Sequence, residues 1–240
     1  MLVDVALTPR DLADRDLRGH CAVVIDVFRA TTSMVLACAA GCAGIIPAET
    51  PDDARQRARA AGDGTLMAGE RGGDPIAGFD LGNSPREFIR ERIGGRTVVL
   101  TTTNGTRALL AVRAADVVGV AALVNVEAAA SWAARHPRLT VVCAGDSGQL
   151  SLEDTVCAGL IVDRVAGLEP TAELTDAATA ARATAALYGK RLERLREDSR
   201  WGRRLAKGGY AADIAVCLGL DASREVPRMV GDRVVPGVPS

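Results

Sequence analysis

Histidine and aromatic rings are scarce in this sequence. Two histidines, two tryptophans, two tyrosines and three phenylalanines serve 240 residues. A Ser-His-Asp or Cys-His site would have to use His20 or His136, and both stand at element ends where surface positions are expected. Excess charge is missing too: 29 Lys and Arg meet 30 Asp and Glu, for a net charge of −1. Without a basic arm or rings to stack on bases, nucleic acid is not an expected partner. No apolar run approaches the length that spans a bilayer. The opening MLVDVALTPRDLADRD carries acids where a secretion signal needs a basic start and an apolar stretch. A cytoplasmic location without a membrane partner is therefore expected. A zinc set is incomplete as well: Cys38 and Cys42 are one helical turn apart, but no second pair follows. The six cysteines, Cys21, Cys38, Cys42, Cys143, Cys157 and Cys217, lie mostly in apolar runs and read as reduced core residues.

What is present is a repeated strand–loop–helix pattern, with Ala, Val and Leu left to do most of the packing. CAVVIDVF (21–28) is a continuous apolar run ending in Asp26 and reads as a buried strand. RATTSMVLACAAG then reads as a helix stopped by Gly41. GIIPAE (44–49) is a second strand, and Pro51, Asp52 and Asp53 open an Ala/Arg-rich helix through Ala61. TLMAGE (65–70) is a strand ending on Glu70. RGGDPIAGFDLGNSPREF (71–88) has the composition of a functional or disordered loop. It leads into a short helix with Ser84 as cap and Pro85 at the first position. TVVL (97–100), DVVGVAAL (116–123) and LTVVCAG (139–145) are further strands. TRALLAVRAA, VEAAASWAARH and TVCAGLIVDRVAG are helices, with DSGQLSLED as a loop. Beyond Thr171 the pattern is mainly helical, KRLERLRED (190–198) reads as a solvated helix face, and the tail after Pro227 has room for a last short strand. The expected fold is α/β, a largely parallel sheet flanked by helices, in a single domain over 1–240 with a helical C-terminal part at 171–226. Ala-rich helical surfaces leave a homo-oligomer open.

Sheets of this kind bind ligands beyond the carboxyl ends of their strands. Four polar groups fall there: Asp26 with Arg29, Thr31 and Thr32; Glu70 with Arg71; Thr101 to Arg107; and Asp146 with Glu153 and Asp154. In TTTNGTR (101–107), unpaired amides at a helix start, threonine hydroxyls and the Arg107 fork could cradle a phosphate or sulfonate. Gly105 would permit close approach of backbone to ligand. The same residues also make sense as a strand end, an Asn-Gly turn and a Thr106 cap. Asp26 and Glu70 are hard oxygen ligands of the kind that suits Mg²⁺; they could equally pair with Arg29 and Arg71 as structural salt bridges. Cys143 and Cys157 could be a cysteine acid–base pair or simply core.

Taken together, VVIDVFRATTS, GERGGDPIAGFDLGNSP, TTTNGTRAL and CAGDSGQLSLEDTVCAG, in this order, resemble the 2-phosphosulfolactate phosphatase (ComB-like) family. The strongest blocks span about residues 22–159, and YAADIAVCLGLDASREVP (210–227) extends the likeness more weakly. The resemblance implies an α/β enzyme that uses Mg²⁺ to hydrolyse 2-phosphosulfolactate to sulfolactate and phosphate, a step towards coenzyme M in some organisms. A related phosphorylated 2-hydroxy acid is the other substrate class it allows. It further implies that Thr31, Thr32, Arg71, Asn83, Ser84, Thr102, Thr103, Asn104, Gly105, Thr106 and Arg107 bind the small anionic substrate. Asp26, Glu70 and Glu153 would hold the metal, and Asp26, Arg29, Glu70 and Asp154 would carry the chemistry. Water or Asp26 would attack phosphorus. Two other functions fit parts of the pattern: a non-catalytic anion-binding module, and a cysteine-based racemase or hydrolase.

Overall fold

The structure, a computed structural model, describes residues 1–189 and 191–237. The chain runs β1 (Leu2–Ala6), β2 (Cys21–Ile25), α1 (Ala30–Ala39), β3 (Gly44–Pro47), α2 (Pro51–Ala61), β4 (Leu66–Arg71), β5 (Asp74–Pro75), α3 (Arg90–Ile93), β6 (Thr97–Thr101), α4 (Gly105–Ala111), β7 (Val117–Ala121), α5 (Val126–Ala133), β8 (Arg138–Cys143), α6 (Leu152–Leu168), β9 (Glu173–Leu174), α7 (Asp176–Tyr188), α8 (Leu195–Asp198), α9 (Arg200–Lys207), α10 (Ala211–Cys217), β10 (Arg228–Val230) and β11 (Arg233–Val235). The fold is α/β, with a large, mostly parallel sheet flanked by helices, as the strand–helix alternation predicts. No helix among the described residues is long and apolar enough to cross a membrane.

The sheet has the order β5-β4-β6-β3-β11-β10-β7-β2-β8-β1-β9. It is two parallel blocks, β4-β6-β3 and β7-β2-β8-β1-β9, joined by the antiparallel hairpin β10–β11. β2 is apolar at every position because it is central and covered on both faces. It pairs Cys21–Ile25 with Val117–Ala121 on one side and with Leu139–Cys143 on the other. Since β11 is antiparallel to β3 and β10 to β7, the blocks are formally opposed in sense. Five ladder steps separate β6 from β2, and strand twist turns their directions by roughly 100–125° over that span. The sheet therefore curls, with α1 and α4 in its concavity. Met34, Val35, Ala108 and Leu109 there pack with Val24, Val120, Ile45 and Leu100 from both blocks. Helices α5, α6 and α7 cover the far face of the β2 block, and α2 covers that of the β6 block.

Several elements differ from the sequence expectations. β1 was not expected; Val3 and Val5 alternate inward, and Asp4 is satisfied by the Thr175 hydroxyl and by Arg15. The loop expected through Asp154 ends three residues earlier, because the Ser151 hydroxyl accepts from the Asp154 amide and caps α6. Ser84 does not cap: its hydroxyl donates to Asp213 Oδ1 at 2.7 Å, and Pro85–Glu87 is only a 3₁₀ turn. The tail holds two strands, turning at Gly231 with φ +61°. Lys190 of the charged run lies outside the described residues; the rest forms a 3₁₀ turn and α8, burying Leu192 and Leu195 with the charges outward.

α6 and α7 lie so close that a β-carbon on Gly159 would press into the Ala181 carbonyl and stand 2.7 Å from Ala185 Cβ. Gly167, on the same helix, has nothing within 4 Å of that position. Gly159→Ala is expected to cost about 1–3 kcal/mol through overpacking, and Gly167→Ala to add up to about 1 kcal/mol through helix propensity. Urea midpoints should move in opposite directions.

Candidate active site

The carboxyl ends of β2, β4 and β6 converge on one narrow polar cleft, lined by Asp26, Phe28, Arg29, Glu70, Asn83, Asn104 and Trp201. Gly105 makes the convergence possible. A β-carbon there would lie 2.6 Å from Ala30 Cβ and 2.7 Å from Asp26 Oδ2. Any side chain would push α4 off β2, so this glycine is required for close approach.

Asp26 is buried, and its Oδ1 accepts from the Ala30 amide at 3.3 Å. Burial, with Glu70 and Glu153 adding negative charge, pushes its pKa up to about 7, against the opposing pull of the Ala30 amide and Arg29. Glu70 is held rigidly. Its Oε1 accepts from the Thr103 amide at 2.6 Å, and its Oε2 from the Gly73 amide at 2.6 Å and the Thr103 hydroxyl at 3.1 Å. Asn83 is buried with its Oδ1 unpartnered. An orphaned amide oxygen beside two carboxylates is a set of hard oxygen donors of the type that suits a divalent cation. Among the described residues no three acidic, histidine or cysteine side chains form a metal cage by themselves. A site with two carboxylates, an amide and otherwise water or substrate oxygens does not need one.

Arg29 is nearly inaccessible. Its Nη1 donates to Asp213 Oδ2 and its Nη2 to the Gly73 carbonyl, both at 2.7 Å, and the guanidinium stacks 4.2 Å from the Tyr210 ring centroid. Asp213, Tyr210 and Trp201 all come from the helical C-terminal part at 171–226, to which the sequence reading assigns no site residue. Their partners lie far away in the chain, so no local spacing signals them.

The threonines serve the frame rather than the cavity. Thr31 Oγ1 accepts from the Asp26 amide, and Thr32 donates to the Val27 carbonyl. Thr102 and Thr106 exchange hydroxyl–backbone bonds across the start of α4. Thr101 Oγ1 accepts from Arg71, which also donates to the Glu70 and Glu49 carbonyls. Burial, with Arg107 adding positive charge, lowers the Arg71 pKa. Arg107 is exposed on α4. Asn104 reaches the cleft and accepts from the Ser147 amide at 3.3 Å.

Glu153 and Asp154 do not line the cleft. Asp154 is sunk behind Asp26, accepting from the Val27 and Gly145 amides at 2.8 and 3.1 Å. Burial first, then the Asp26 and Glu153 charges, raise its pKa well above the usual carboxylate range. Glu153 is raised too, chiefly by burial and against nearby serine hydroxyls. Asp146 instead pairs with Arg200 at 2.5 Å. All six cysteines are buried and free, and burial pushes the Cys143 and Cys157 thiols well up. They therefore cannot act as exposed nucleophiles. His20 is engaged with Thr140 Oγ1 at 3.0 Å, and neither histidine lines the cleft.

The family model described as 2-phosphosulpholactate phosphatase matches residues 6–232. The chain belongs to that family. A relative from Symbiobacterium thermophilum is 39% identical over 222 residues, covering 92% of this chain and 95% of its own. One from Thermotoga petrophila is 35% identical over 229 residues, covering 95% and 96%. One from Clostridium acetobutylicum is 30% identical over 239 residues, covering 98% and 100%. All three are named probable 2-phosphosulfolactate phosphatase. The family match takes in every cleft-lining residue.

The buried acids carry a stability cost with a definite sign. Asp26 has a folded pKa raised from 3.8 to about 7, so the folded state binds more protons than the unfolded one between those values. Stability therefore falls as pH rises through that window and levels off above it. The raised Glu153 and Asp154 act in the same direction. Metal-free protein should melt at a higher temperature at pH 5 than at pH 8. Asp26→Asn should raise the melting temperature at pH 8, worth on the order of a few kcal/mol, and shrink the difference. Equal melting of wild type and variant at pH 8 would contradict this account of Asp26.

Proposed function

We propose that this protein is a Mg²⁺-dependent phosphatase. It hydrolyses 2-phosphosulfolactate, or a closely related phosphorylated 2-hydroxy acid, to the free hydroxy acid and inorganic phosphate. Family membership supports the reaction class, and the names of the relatives support the substrate. The observation that carries the reading is the meeting of Asp26, Glu70 and the orphaned Asn83 oxygen with Arg29 in one cleft.

In this reading Asp26, Glu70 and Asn83 would hold the ion, with Glu153 behind them. A bound Mg²⁺ supplies charge neutralisation for the phosphoryl oxygens and a more acidic water. Arg29 and Asn104 face the same space and stabilise negative charge as it spreads onto the equatorial oxygens. Arg71, bonded to Thr101, and Arg107, within its electrostatic reach, draw the anionic substrate inward. Asp26 acts at phosphorus, either as base for the attacking water or as the attacking carboxylate itself, which an acid-quenched search for a phosphorylated Asp26 peptide distinguishes. The buried, unpaired thiols fit a reducing cytoplasm.

The test is phosphate release from phosphorylated 2-hydroxy acids bearing either a sulfonate or only carboxylates, with and without Mg²⁺. Release is expected with Mg²⁺, favouring the sulfonate, and none with excess EDTA. Asp26→Asn and Glu70→Gln should each lower kcat by about 100-fold or more. Cys143→Ala should leave kcat within a few-fold and cost only about 1–3 kcal/mol of stability. Binding of every substrate without turnover of any would instead make the protein an anion-binding module.

A further inference from the structure

We infer that Asp213, on α10, is a positioning residue: it holds the Arg29 guanidinium so that its free N–H groups face an anion in the cleft and stay off the Asp26 and Glu70 carboxylates. The inference rests on the phosphatase reading of the cleft.

Arg29 opens α1 on a long, rotatable stem and shares the cleft wall with two acids. Left free, its guanidinium would fall onto the nearest carboxylate. Asp26 is within its electrostatic reach, since Arg29 lowers the Asp26 pKa. That pairing would occupy the acid the reaction needs. Three contacts prevent it: Asp213 Oδ2 and the Gly73 carbonyl, each at 2.7 Å, and the Tyr210 ring at 4.2 Å. These fix the guanidinium plane while engaging two of its five N–H groups, on a side chain that borders the cleft. Asp213 is fixed in turn, its Oδ1 accepting from the Ser84 hydroxyl at 2.7 Å. The side chains of the pair are 2% and 4% exposed, so water neither screens the contact nor competes for it.

Asp213 also exerts an opposing effect. Its negative charge weakens the pull of Arg29 on any anion, so by Coulomb attraction alone its removal would tighten binding. Positioning predicts the reverse. The two effects differ in sign and can be separated by measurement.

The experiment is calorimetric titration of inorganic phosphate, with Mg²⁺, into wild type, Asp213→Asn, Arg29→Met and the double variant, with circular dichroism to confirm folding. Asp213→Asn is expected to weaken phosphate binding about tenfold in the wild-type background and less than about twofold in the Arg29→Met background. With a substrate that is turned over, kcat should fall more than KM rises, as orientation is needed most in the transition state. Ser84→Ala removes only the brace on Asp213 and should act in the same direction by a smaller factor, so it carries the test if Asp213→Asn does not fold. Tighter or unchanged phosphate binding, an equal loss in both backgrounds, or no phosphate binding by the wild type would each overturn the inference. Wild type that binds phosphate with the expected variant pattern but turns over no substrate would sink the phosphatase reading and leave this one standing.

Discussion

The contact between Asp26 and Gly105 is where two parts of the chain become one site. Asp26 leaves β2 in one parallel block, and Gly105 starts α4 behind β6 in the other. The carboxylate occupies the space a side chain would take on the glycine. Because the two elements touch, Glu70 from the neighbouring strand and Asn83 from the long loop reach the same cleft. Distance in sequence thus becomes adjacency of donors, and it depends on one missing β-carbon. The threonines beside it, whose hydroxyls turn to the backbone, keep both helix starts in register with their strands.

The price of that adjacency is electrostatic. Asp26, Glu70, Glu153 and Asp154 are all buried, and burial with neighbouring negative charge raises the proton affinity of Asp26, Glu153 and Asp154. Backbone amides from Ala30, Val27, Gly145, Gly73 and Thr103 offset part of this cost. Such clustering is weak as a stabilising device and characteristic of sites whose groups are tuned for chemistry.

Much of the frame was legible because its signals are local. β2 is an uninterrupted apolar run, and α2 opens at Pro51, Asp52 and Asp53 and runs through Ala61 as their pattern predicts. The position of Asp26, Glu70 and Asn104 at strand ends follows from the same reading. The block at 210–227 that holds Tyr210 and Asp213 was legible as family-like, but not their contact with Arg29, and nothing pointed to Trp201. Asp213 meets Arg29 across 184 positions, and its helix has only seven residues. β1 carries the alternation of Val3 and Val5 over only five residues, too short a period to separate a strand from a loop. The direction of the threonine hydroxyls was undecidable from composition, since a capping threonine and a ligand-binding one look alike until the backbone is placed.

The hairpin β10–β11 lies between β3 and β7, yet residues 228–235 follow both blocks in the chain. A ribosome therefore makes every strand of the two blocks before it makes the pair that fastens them. Until then β3 and β7 expose unpaired edges of apolar strand, the kind of surface that recruits other nascent chains. The last-made pair is thus the one that closes both edges.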